Sequence, residues 1–189
     1  GEGDARGAEQ QVGAQARAPL PAGAPLLRPR RRLGDLAVAR SADVLILVDG
    51  PKARATQILR QTQRGLGVVR RVLPRWRDAV VVEVPADAEA LDEALATSPG
   101  AHAGIAAVTA TVDGSGELGA PSHVFVNPDV IDELPPAEAQ AVLSHELVHL
   151  ATGAATGGTP AWFVEGFADY VALREQALPD RVALRRAIE

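Results

Sequence analysis

His145 and His149 stand four residues apart in the stretch AVLSHELVHLATG, with Glu146 beside the first of them. The chain has four histidines, so this segment carries half of its imidazole. On a helix, residues four apart differ by about 40° in angle and about 6 Å in height, so both rings aim at one point. Two neutral imidazole nitrogens make two-thirds of a tripod for Zn²⁺, which takes such ligands at about 2.0–2.1 Å. Glu146 lies about 100° round from His145, too far to be the natural third ligand. Its carboxylate is still near enough to hold a water beside the ion. The spacing therefore assigns two ligands and a neighbouring base.

The next helix supplies what the first lacks. Residues 159–171 read TPAWFVEGFADYV. Glu165 follows a glycine-rich turn that lets two helices return side by side, where it can complete a His₂Glu site. Asp169, one helical turn further along the same face, is placed to accept the spare N–H of a ligand histidine. Trp162 and Phe163 beside Glu165, with small Gly166 and Ala168 after it, predict a partly buried helix, and a carboxylate there needs a cation. One Zn²⁺ per chain is the expected cofactor.

The pairing of HELVH with PAWFVEGFADY resembles the gluzincin metallopeptidases, most of all the peptidase-MA-like branch with its W-x-x-E-G-x-A-x-Y segment. That resemblance implies a zincin-like α+β fold, in which the edge strand of a mixed sheet lies over the HExxH helix and a ligand helix follows. It implies His145, His149 and Glu165 as ligands, Glu146 as general base and Asp169 as the partner of His145. It also implies that Ala103–Val112, with Gly104, Ala106 and Val108 along it, is the strand beside which substrate lies. The likeness is specific in the two helices, looser over residues 43–127, and does not extend to residues 1–40. Larger gluzincins carry a helical subdomain after the third ligand, which often supplies a Tyr or His to the oxyanion; this sequence ends at Glu189, 24 residues past Glu165. Tyr170 and His123 are the candidate donors in its place, with His102 behind them. Against these roles stand helix packing for Tyr170 and strand-end or loop positions for the histidines. The implied reaction is hydrolysis of peptides or proteins. The alternative is a weak or inactive zinc-binding module for protein interaction. The presence of Glu146, which the motif does not need for binding metal, speaks against that alternative.

Composition removes other classes. The chain has 189 residues, 47% apolar and 23% charged, which suits one globular core. A net charge of −5 gives no basic face for nucleic acid. Without cysteine there is no thiolate metal site, disulfide or cysteine nucleophile, so any metal must use His, Asp or Glu. No run is long enough to span a membrane; DVLILV at 43–48 is strand-sized. A sequence starting at Gly1 with a Pro/Ala/Gly arm suits a secreted or envelope-anchored bacterial protein, a cytoplasmic place being left open.

The elements that would position the site follow from pattern. Residues 1–40 lack a period and read as a flexible arm, so the domain is taken as 41–189. Strands are predicted at Asp43–Val48, Ala79–Val84, Ala103–Val112 and His123–Asn127, and helices over Pro51–Leu73 and Asp87–Ala96. A helix opens at Pro135-Pro136, carries the motif and stops at Gly153. Thr159-Pro160 reads as an N-cap with proline in the first turn of another helix, running to about Gln176, and a last helical piece follows Pro179.

Overall fold

Alternation decides the centre of the molecule. In VLILVD (β2, Val44–Asp49) and VVVEV (β3, Val80–Val84) every second residue is buried, so one face of each strand meets the core. A computed structural model describes residues 36–174. They form an α+β domain around a mixed five-stranded sheet. The other strands are β1 (Leu36–Arg40), β4 (Ala107–Thr111) and β5 (Ser122–Val126), and the spatial order is β1-β2-β3-β5-β4. β2, β3 and β5 run parallel, while β1 on one edge and β4 on the other are antiparallel to their neighbours.

Among the described residues five α-helices accompany the sheet: α1 (Lys52–Val72), α2 (Ala88–Ala94), α3 (Pro128–Ile131), α4 (Pro136–Thr152) and α5 (Ala161–Leu173). The long helix α1 makes the crossover that a parallel β2–β3 pair requires. Val44, Ile46, Val48, Val80, Val82 and Val84 share one core with Ile58, Leu66 and Val69 of α1 and Val142, Leu147 and Val148 of α4. Gly65, inside α1, marks a close approach of these two helices. A Cβ there would lie 3.0 Å from both Leu147 Cδ1 and Ser144 Oγ. The motif helix is thus pressed against α1 at the residues flanking His145.

Boundaries differ from the sequence reading at several points. The first strand begins at Leu36, inside the stretch assigned to the arm; LAVAR pairs with β2 along its whole length. The predicted Ala103–Val112 strand is reduced to Ala107–Thr111, because residues 101–104 form turns. Gly153 does end α4, in the left-handed conformation at φ 67° that glycine adopts without strain. Thr159 is not an N-cap; α5 begins after Pro160 with no side-chain cap. The helical piece after Pro179 and the end of α5 near Gln176 lie outside the described residues, as do residues 1–35 of the arm.

Candidate metal centre

Nearly every position of α4 from Ala139 to His149 is buried. A helix that is covered all round places its polar side chains in a low dielectric, where each must find a partner. His145 Nε2 and His149 Nε2 lie 2.8 Å apart. Glu165, reaching in from α5, sets its Oε2 3.2 Å from the first and 3.4 Å from the second. These three atoms are the one His/Cys/Asp/Glu group among the described residues with the spacing of a metal site.

The triangle fits an ion. Tetrahedral bonds of about 2.0–2.1 Å put neighbouring ligand atoms about 3.3 Å apart, and the three separations here fall close to that. Burial holds His145 down to about 4, helped by His149 and opposed by Glu165. Burial likewise lowers His149, against the pull of Glu165 and Asp169. Both rings are therefore neutral at pH 7, with lone pairs free for a cation. The donor set, two imidazoles and one carboxylate, is one that Zn²⁺ accepts.

Behind the triangle, Asp169 Oδ1 stands 3.2 Å from His145 Nδ1. The pair is within ion-pair reach, but no aligned hydrogen bond satisfies that Nδ1. His149 Nδ1 is also buried without a partner among the described residues.

Glu146 points elsewhere, towards the sheet. Its Oε2 accepts a hydrogen bond of 2.8 Å from the Thr109 hydroxyl on β4. The same hydroxyl is 2.9 Å from the Glu146 backbone carbonyl, so its one proton is shared between the two acceptors. Burial pushes the Glu146 carboxyl up to about 8, with Thr109 working in the opposite direction. A divalent cation beside it would favour the ionised form again.

Among the described residues β4 is paired on one side only, as an edge strand must be. The Asn127 N–H donates to the Ala106 carbonyl and the Val112 N–H to the Pro121 carbonyl. Given the β4–β5 register, Ala106, Val108 and Ala110 turn their backbone groups towards β5, and Ala107, Thr109 and Thr111 turn theirs outward. This corrects the substrate-edge residues: Gly104 sits in a turn before the strand, and the ladder groups of Ala106 and Val108 face inward. The edge is also narrower than a run of small residues suggests. Ala107 and Thr111 are buried, and Thr109 alone of the three is half-buried.

The candidate oxyanion donors are not brought to the site. Val124 pairs with Thr109 and shares its face, so His123, one residue earlier, projects from the other face of the sheet. There its Nδ1 lies 2.7 Å from Glu83 Oε1. His102 is engaged with Asp92, Nδ1 to Oδ1 at 2.7 Å. Tyr170 is about 100° round α5 from Asp169 and exposed, with the Arg174 guanidinium 5.9 Å from its ring centre. Trp162 and Phe163 depart from expectation as well: they are 77% and 53% exposed. The burial of α5 lies in its second half, at Ala168, Val171, Ala172 and Leu173. Its first half instead sets Trp162 edge-on to Phe163, whose ring in turn stacks on Phe167.

Thr109 is the residue that sequence reasoning passed over. The available signal was weak: in GIAAVTATV, Thr109 and Thr111 are the only side chains with a hydrogen-bonding group, and they share a face.

Residues 94–183 match the family model described as "Peptidase of plants and bacteria". The matched stretch runs from the end of α2 through β4, β5 and α4 to beyond α5, so Thr109, His145, Glu146, His149, Glu165 and Asp169 all lie within it. This part of the chain is similar to a peptidase family. No curated protein and no solved structure matches the chain. Among the described residues, no helix is long and apolar enough to cross a membrane.

Proposed function

We propose that the chain is a zinc-dependent metallopeptidase of the gluzincin, peptidase-MA-like kind, with a zincin-like arrangement of β4, α4 and α5. The observation that carries this reading is the convergence of His145 Nε2, His149 Nε2 and Glu165 Oε2, with Glu146, next to His145 in the chain, outside that group and held by Thr109. Similarity to a peptidase family over residues 94–183 supports the substrate class, peptides or proteins.

His145, His149 and Glu165 would hold the ion. When bound there, Zn²⁺ supplies a Lewis acid for the scissile carbonyl and brings its water within reach of deprotonation near neutral pH. The rest falls to side chains of this chain. Glu146 takes the proton of the attacking water and delivers it to the leaving amine, so no covalent intermediate is needed. Asp169 steadies the His145 ring from behind.

Hydrolysis of casein or a quenched peptide should stop on chelation and return with added zinc. Turnover that is indifferent to chelator would overturn the reading. A second reading, a zinc-binding interaction module, is favoured by the exposed Trp162, Phe163 and Tyr170 on the helix that carries Glu165. It predicts bound zinc with no hydrolysis in the same assay.

Asp169→Asn should weaken zinc retention or activity by about 10–100-fold, because a neutral amide orients the imidazole less firmly. Competition against a chelator measures it; unchanged affinity and rate would make Asp169 an ordinary helix residue.

A further inference from the structure

Building on that proposed peptidase reading, we infer that Thr109 is the positioning residue that ties the general base to the substrate-facing edge of the sheet. Two observations meet at this residue. Its hydroxyl holds Glu146 Oε2 at 2.8 Å and the Glu146 carbonyl at 2.9 Å, anchoring both ends of the same residue to β4. Its own backbone N–H and C=O face outward, and of the three outward-facing residues of β4 it is the one that is not buried.

The first contact removes freedom from the base. A glutamate side chain has three rotatable bonds, and a buried one without a partner has no reason to keep a single orientation. With Oε2 engaged by Thr109, Oε1 is the oxygen left to carry the proton in the proposed reaction. The second contact sets where a peptide lies. An extended segment pairing with the backbone of Thr109 would take its register from the same residue that fixes the carboxylate. Strand and base then move as one unit, and the distance from peptide backbone to base is determined within a single residue. Thr109 touches neither the ion nor the reacting atoms; it acts through Glu146.

The test separates hydroxyl from backbone. Thr109→Val keeps the β-branched shape and the outward backbone groups but removes the donor. Because a hydrogen bond to an ionised group is lost, kcat should fall about 10–100-fold. KM should stay within about twofold, since the strand edge is unchanged, and zinc content should match the parent. Thr109→Ser should restore most of kcat. In a Glu146→Gln background, Thr109→Val should cost little more, because its effect passes through the base. In zinc-free protein, thermal denaturation of Thr109→Val, Glu146→Ala and the double variant should be non-additive, a readout independent of turnover. Should valine not be accommodated, Thr109→Ala carries the same comparison. Parent-like turnover in Thr109→Val alongside an inactive Glu146→Gln would overturn the role of Thr109 and leave the peptidase reading standing. So would equal losses in both backgrounds, a serine variant no better than valine, or additive melting behaviour. Parent-like activity in Glu146→Gln would give Glu146 another job and overturn this inference, whereas parent protein that hydrolyses no peptide would overturn the peptidase reading itself.

Discussion

Glu146→Gln is expected to retain zinc and to lose about 10²–10⁴-fold of its hydrolytic rate, the usual contribution of a general base. Glutamine preserves the shape of the buried side chain, and its amide oxygen can still accept from Thr109. What it lacks is the ability to take and return a proton. Steady-state kinetics beside elemental analysis make the check, and activity within a few-fold of the parent would give Glu146 another job. The same variant has a signature in the metal-free protein. Burial raises the Glu146 carboxyl from 4.5 to about 8. Its contribution to stability is therefore full below about pH 4.5 and lost as pH rises towards 8. His145, lowered from 6.5 to about 4, acts in the opposite sense: its contribution is full above about pH 6.5 and lost as pH falls towards 4. Chelated parent protein should weaken at both ends, whereas chelated Glu146→Gln should weaken only on the acid side. A melting curve at pH 8 that does not separate the two proteins would count against the raised, buried carboxyl described above.

Removal of a ligand should abolish the zinc itself. Parent protein should carry about one ion per chain, and Glu165→Ala or His149→Ala should lose most of it. The two variants are not equally clean. The His149 side chain is 11% exposed, so its removal opens a cavity in the core helix and costs stability for reasons unrelated to metal. The Glu165 side chain is 58% exposed and projects from a separate helix, so its loss leaves α4 packed as before. Glu165→Ala is the decisive variant. Full zinc in a folded Glu165→Ala protein would remove the three-ligand site as drawn.

Local chemistry was legible in the sequence, and side-by-side placement was not. The histidine spacing, the stop at Gly153 and the apolar strand runs read at Asp43–Val48 and Ala79–Val84 depend on neighbours within a turn or a strand, and each has its counterpart in the structure. LAVAR was lost in the arm because nothing local marks it; its pairing with β2 stabilises it. Trp162 and Phe163 look like core residues by type, yet their burial depends on how far α5 overlaps its neighbours. The face on which His123 emerges depends on strand register, which a one-residue shift reverses. Thr109 needed both: its meaning lies in a hydrogen bond across 37 positions of sequence.

The narrow outward side of β4 bears on whether copies of this protein adhere to one another. A bare strand at the margin of a sheet is ordinarily a template on which a foreign chain can add residue after residue. Here Ala107 is covered at one end, and at the other Thr111 is covered and its carbonyl already accepts from the Gly114 N–H. What stays open is the length of a single residue at Thr109. Cooperative growth of a second sheet needs several consecutive rungs, so this margin offers no foothold for stacking into fibres. It can still give a passing strand one point of contact and then release it.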